Sequence, residues 1–158
     1  MGENKGSSEE QQLVIFKLGN EKFGIDIGKV REIITMQQVT KVPHTHEYIE
    51  GIINLRGRVI PIFNIKNKFN FPENVLTRLA RIMVVEVAGN TMGMIVDGVN
   101  EVLRIHKSII EEPSDKLVSG LDEQYMEGIA KLEEDLIIIL DLGKVLNNNV
   151  HRLMEDVI

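Results

Sequence analysis

Chemistry has to be sought among few residues in this chain. Of its four histidines, only His44 and His46 are near neighbours, with Glu47 beside them. Metal sites can be built this way, but a third ligand and the groups that orient the imidazoles would have to come from unidentified places. The reading is therefore a solvated loop and no metal. The carboxylates Glu111 and Glu112, or Glu133, Glu134 and Asp135, could be drawn as acid/base pairs. Adjacent carboxylates in turns are ordinarily just hydrated. There is no Gly-rich phosphate loop, no nucleophile elbow and no Cys to serve as a thiol nucleophile or metal ligand. One further charge, Arg56, gains meaning only from the organisation of the chain around it.

That organisation is a duplication. Tyr48–Ile65 aligns with Tyr125–Leu142 without a gap at a spacing of 77 residues, and Tyr, Glu, Gly, Ile and Leu recur at matching places. Leu13–Ile33 lies over Ile82–Val102 at a spacing of 69, so that Gly24 meets Gly93, Val30 meets Val99 and Glu32 meets Glu101. Two long copies are too few for a solenoid and indicate two similar small β units packed together. Positions alike in both copies keep the shared fold; polar differences point to work done by one copy. Asn54, Arg56, Gly57 and Pro61 face Lys131, Glu133, Glu134 and Ile138. The charge reversal from Arg56 to Glu133 is the sharpest difference, and Glu32 is the carboxylate that could hold the guanidinium. An exposed turn residue is the bland reading. A guanidinium presented on a recognition surface is the sharper one, suited to a planar five-donor fork.

Composition bounds the function. The chain has 158 residues, and two units of half that length would have to share an apolar interface, having no disulfides to staple them. The net charge of −6 argues against nucleic acid, whose phosphates demand clustered Lys and Arg. No apolar run reaches the roughly 18 residues of a membrane span, and Met1–Gln12 lacks the apolar core of a secretory signal, so a cytoplasmic protein is expected.

In chain order, residues 1–11 read as a flexible polar tail, 12–72 as a first barrel unit, 73–146 as a second and 147–158 as a helical tail. Strands could be exchanged between the units. Gln12–Leu18 and Lys22–Ile27 flank a hairpin turn at Gly19-Asn20. Lys29–Met36 fits a strand or a distorted helical turn. Thr45 caps an expected short helix through Ile49, followed by two strands about Arg56-Gly57. The second unit runs Leu79–Ala88, a turn at Gly89-Asn90, Met92–Val96, a turn at Asp97-Gly98 and Val99–Ile105. A loop over Ile109–Gly120, a helix over Leu121–Glu127 and two more strands follow. Ile137–Leu140 is apolar at every position and is expected to be buried on both faces. Leu142, Val145, Leu146, Val150, Leu153, Met154 and Val157 recur at helical spacing.

Three further strings identify the pattern. Phe23-Gly24-Ile25-Asp26-Ile27 with Val30-x-Glu32-Ile33, then Gly51-Ile52-Ile53-Asn54-Leu55-Arg56-Gly57-x-Val59-Ile60-Pro61, then Val96-Asp97-Gly98-Val99, resemble the chemotaxis coupling proteins of the CheW-like domain family. The resemblance runs from about Gln12 to Leu146 in one register; Asn64 departs from it, standing where an acidic residue is common. It implies an all-β fold with short helices: two five-stranded SH3-like barrels packed side by side, closed by a C-terminal helix. It implies a non-catalytic adaptor without cofactor, monomeric when free, cytoplasmic and recruited to membrane-associated receptor arrays. The implied partners are the cytoplasmic tips of methyl-accepting chemoreceptors and the regulatory domain of the histidine kinase CheA. The receptor surface carried over by motif is Val30, Glu32, Ile33, Gly51, Asn54, Arg56, Gly57 and Val99. The kinase contact would lie mainly on the second barrel, where no motif names residues. The competing class, a small β-barrel enzyme or ligand-binding protein, would need convergent polar groups that the sequence does not offer.

Overall fold

The computed structural model describes residues 9–42, 48–69, 77–113 and 123–146. Its strands are β1 (Glu10–Leu18), β2 (Glu21–Asp26), β3 (Val30–Thr35), β4 (Ile49–Leu55), β5 (Arg58–Phe63), β6 (Arg81–Val87), β7 (Asn90–Val96), β8 (Gly98–His106), β9 (Ile110–Glu111), β10 (Met126–Leu132) and β11 (Asp135–Leu140). One-turn helices follow β5 and β11: α1 (Ile65–Lys68) and α2 (Leu142–Leu146). Three-residue 3-10 turns lie at Ile27–Lys29, Lys107–Ile109 and Glu123–Tyr125. No helix among the described residues is long and apolar enough to cross a membrane.

Sheet membership does not follow chain order. One sheet runs β8-β1-β2-β11-β10-β9, the other β3-β6-β7-β5-β4. The first hairpin, β1–β2, thus joins the late strands, and β6–β7 joins the early ones. In each sheet one junction is parallel, β2 with β11 and β7 with β5, and the remaining pairs are antiparallel. Each sheet then closes on itself. β8 bends through Lys107–Ile109 into β9, which pairs with β10. In the other sheet Thr40, beyond the end of β3, exchanges backbone hydrogen bonds of 2.9 and 2.8 Å with Ile52 of β4. Closure removes the open edges at which a free sheet would recruit other chains. These are two small barrels, but neither is one of the units read over 12–72 and 73–146: each takes a hairpin from the other half, and one sheet has six strands where five were expected.

The period-2 pattern divides side chains between three cores. Leu13 and Ile15 point into one barrel with Ile105, Ala130, Ile137 and Ile139. Ile53, Ile60, Ile62, Ile82, Val84 and Ile95 fill the other. The intervening residues Val14, Phe16 and Leu18 of β1 turn outward and meet Met83, Val85 and Val87 of β6 in a layer between the barrels. Among the described residues that layer holds 22 buried side chains against six in each barrel interior, so the greater part of the apolar core is shared. Burying one Val, Ile, Phe or Met is worth about 1.5–3 kcal/mol. A stack crosses the layer from Phe16 to Phe23 to Phe69, with centroids 6.0 and 6.3 Å apart. Methionines 83, 92, 94 and 126 fill the same layer, the adaptable packing role expected of them. Ile137 and Ile139 face one core and Ile138 and Leu140 the other, which explains why that string carries no polar residue.

Several local readings shift. Ile49 opens β4, paired with Phe63, instead of closing a helix, while Thr45 lies outside the described residues. The helix expected over Leu121–Glu127 contributes a described turn at Glu123–Tyr125, and Met126 and Glu127 already belong to β10, which buries Met126 in the layer between the barrels. Within the loop expected over Ile109–Gly120, Ile110 and Glu111 are drawn into β9 by pairing with Ala130 and Ile129. The second hairpin turns at Ala88-Gly89, one residue early, because Asn90 pairs with Val87. Within Lys29–Met36, Val30–Thr35 form strand β3 and Lys29 ends the 3-10 turn before it. Leu142, Val145 and Leu146 bury one face of α2 as the helical spacing predicted; the reading beyond Leu146 lies outside the described residues.

Candidate docking surface

Arg56 lies in the two-residue turn between β4 and β5, whose geometry is set locally. Asn54 Oδ1 accepts a hydrogen bond of 2.8 Å from the Gly57 N–H, and both turn residues have positive φ, 51° and 88°. Glycine is suited to that region; Arg56 holds it without that freedom. The turn brings Arg56 Nη2 to Glu32 Oε2 on β3, which closes the barrel from the other side. The hydrogen bond and the charge of Glu32 together raise the pKa of the guanidinium. The Arg56 side chain is about two-thirds exposed, so the pair stands in water and its strength lies in geometry more than in stability.

Around this pair is a concavity lined also by Arg31, Arg58, Glu86 and Thr91. Arg31 on β3 pairs with Glu86 on β6. A second concavity lies where the barrels meet, with Ile33, Leu79 and Val99 offering apolar surface beside Asn20. Ile33 and Leu79 are 41% and 69% exposed, high for aliphatic side chains. Beneath them Lys66 Nζ meets Asp97 Oδ2 at 2.8 Å, with only 6% and 18% of the two side chains exposed. The same Asp97 oxygen accepts the Gly19 N–H at 2.6 Å, and the Asp97 N–H donates to the Lys17 carbonyl at 2.9 Å. Asp97 therefore ties the β1–β2 turn of one barrel to α1, which follows β5 of the other. The turn expected at Asp97-Gly98 is a one-residue bend held by these contacts.

The eight residues carried over by motif divide accordingly. Glu32, Asn54, Arg56 and Gly57 form one corner. Ile33 and Val99 line the groove between the barrels. Val30 packs partly against the shared layer. Gly51 is buried, and a Cβ there would lie 2.2 Å from the Thr40 carbonyl oxygen, so this glycine allows the barrel to close and presents no side chain. Sequence reasoning missed the Arg31–Glu86 and Lys66–Asp97 pairs. Lys66 carried a signal: it is a lysine beside Ile65 and near Phe69, and only a paired ammonium tolerates such burial.

The remaining titratable groups are dispersed. Among the described residues no three of His, Asp and Glu gather as metal ligands, and His44, His46 and Glu47 lie outside them. Glu111 pairs with Lys131 at 3.5 Å and Asp135 with Lys22 at 2.9 Å, while Glu112, Glu133 and Glu134 are exposed. Glu127, counterpart of Glu50, differs. Glu50 accepts a 2.9 Å hydrogen bond from Asn64, whereas Glu127 faces Asp141, the counterpart of Asn64. Glu127 is exposed on β10, yet desolvation by the surrounding chain and then the charges of Asp141 and Asp26 raise its pKa, against a hydrogen bond from Gln11 and the charge of Lys29.

Paired closed barrels with a shared core and two grooves, lined by charges that are mostly paired, define a protein-docking scaffold. The family model described as the CheW-like domain matches residues 12–150. The chain is 34% identical over 157 residues to the chemotaxis protein CheW of Klebsiella aerogenes, spanning 96% of this chain and 91% of that protein. It is 32% identical over 146 residues to CheW of Treponema pallidum, spanning 90% and 85%. Among solved structures, the scaffolding protein TtCheW from Thermoanaerobacter tengcongensis superposes with a TM-score of 0.79 at 40% identity, over 86% of this chain and 87% of that one. This chain belongs to the CheW-like domain family.

Proposed function

We propose that the chain is a non-catalytic adaptor of bacterial chemotaxis signalling, coupling methyl-accepting chemoreceptors to the histidine kinase CheA. The observation that carries the reading is the near full-length correspondence with chemotaxis CheW proteins. On this reading the receptor tip docks on the corner formed by Glu32, Asn54, Arg56 and Gly57 and on the adjoining groove with Ile33 and Val99. Val30 and Gly51 support that surface from behind. The regulatory domain of CheA docks mainly on the other barrel, and the protein works in the cytoplasm at receptor arrays. Shape and exposed apolar side chains, not reacting groups, are what such a role requires.

The test is co-sedimentation of the purified chain with receptor-containing membranes and CheA, with a pull-down by the isolated regulatory domain of the kinase. Joint sedimentation dependent on receptor is expected. Failure to bind either partner, together with a melting-temperature shift caused by a small ligand, would overturn the proposal in favour of a ligand-binding barrel.

A further inference from the structure

The duplication exposes an unbalanced charge. Arg58, the first residue of β5, corresponds to Asp135 at the start of β11, and Thr91 on β7 corresponds to Lys22 on β2. In one barrel Lys22 Nζ and Asp135 Oδ2 pair at 2.9 Å across the parallel junction. In the other, the same place sets Arg58 Nη2 at 3.4 Å from the neutral Thr91 hydroxyl. The neighbouring cations are matched, Arg31 by Glu86 and Arg56 by Glu32. Among the described residues Arg58 is thus the guanidinium of this concavity without a carboxylate. Three of the chain's seven arginines line it although the net charge is −6, so it is a local site of attraction for an anion.

We propose that Arg58 binds the carboxylate of an acidic side chain on the docked chemoreceptor tip, which takes the place that Asp135 fills internally in the other barrel. The inference rests on the receptor docking proposed above. A guanidinium fork matches a single carboxylate in two parallel hydrogen bonds. Glu32 and Glu86 flank the position and repel a multiply charged phosphate or a nucleic-acid backbone. Leu55, the cross-strand partner of Arg58, lines the same concavity half-buried and gives the segment carrying the carboxylate an apolar footing.

The experiment measures binding of the full chain to a soluble cytoplasmic fragment of its cognate receptor and, separately, to the kinase regulatory domain. Arg58→Asp should weaken receptor binding by about tenfold or more, as for loss of a charge pair at an interface. Arg58→Lys should retain part of it, and kinase binding should not change. The double variant Arg58→Asp/Thr91→Lys rebuilds the pair of the other barrel, so it supplies a folded protein and should show the same loss. Receptor binding at parental affinity by either folded aspartate variant overturns the assignment while leaving the adaptor role intact. Absence of receptor binding by the parent chain overturns both.

Discussion

Arg56 and Glu133, 77 residues apart in the chain, hold the same left-handed turn conformation, with φ of 51° and 50°. One backbone thus carries opposite charges in the two barrels, and only the arginine reaches across to Glu32 on β3. The turn needs neither side chain for its shape. Side-chain identity there is free to serve recognition.

It follows that Arg56→Glu should fold, since Glu133 already occupies the matching conformation. Its melting temperature should stay within a few degrees of the parent, while like charges beside Glu32 abolish receptor docking and leave the binary kinase complex intact. Binding measurements against each partner check this. Kinase binding lost with receptor binding retained would reverse the assignment of surfaces, and an unfolded variant would make Arg56 structural.

Asp97→Ala removes the partner of a largely buried ammonium and an acceptor of the β1–β2 turn. Breaking such a pair costs about 3 kcal/mol. At this chain length that lowers the melting temperature by roughly 6–12 °C. Thermal unfolding by circular dichroism gives the answer, and an unchanged melting temperature would show that Lys66 finds water instead.

Glu127 ties stability to pH. Its pKa in the folded state is raised, chiefly by desolvation and then by Asp141. Between the unfolded value of about 4.3 and the folded one, the native state binds more protons, so this group's contribution falls as pH rises through that window. Glu127→Gln should therefore melt higher than the parent at pH 7, with the difference vanishing below about pH 4. A parent that gains on the variant as pH rises would refute the sign.

Cutting the chain within residues 70–76 separates strands that belong to one barrel. Fragments 1–74 and 75–158 should each lack cooperative unfolding alone, because each exposes its side of the shared layer. Mixed, they should complement one another, β1–β2 pairing with β8 and β11. Calorimetry of each fragment and of the mixture decides; a cooperative transition in either fragment alone would contradict the shared core.

The repeat made the strands and the central layer legible, because alternation and matched positions report burial directly. Ile137–Leu140 is the clearest case: apolar at each place, it faces a core on either side. The glycines were less transparent. Gly51 stood inside a recognition motif, but its requirement is the approach of the Thr40 carbonyl, a contact made by a segment with no regular pattern. Arg56 could be paired with Glu32 from the duplication alone. The Lys66–Asp97 pair could not, since Lys66 and Asp97 correspond to Gly143 and Gly28 and the comparison of copies is silent there. Nor does linear order reveal which sheet a hairpin joins.

That last feature bears on biosynthesis. Lys22 on β2 meets Asp135 on β11 across 113 residues of chain. At translation rates of about 5–20 residues per second, the first hairpin leaves the ribosome roughly 6–23 s before the strand beside it. Until then its outer face of Val14, Phe16 and Phe23 has only part of its cover. Non-local pairing of this kind slows folding and leaves that apolar face incompletely covered on the nascent chain during the interval.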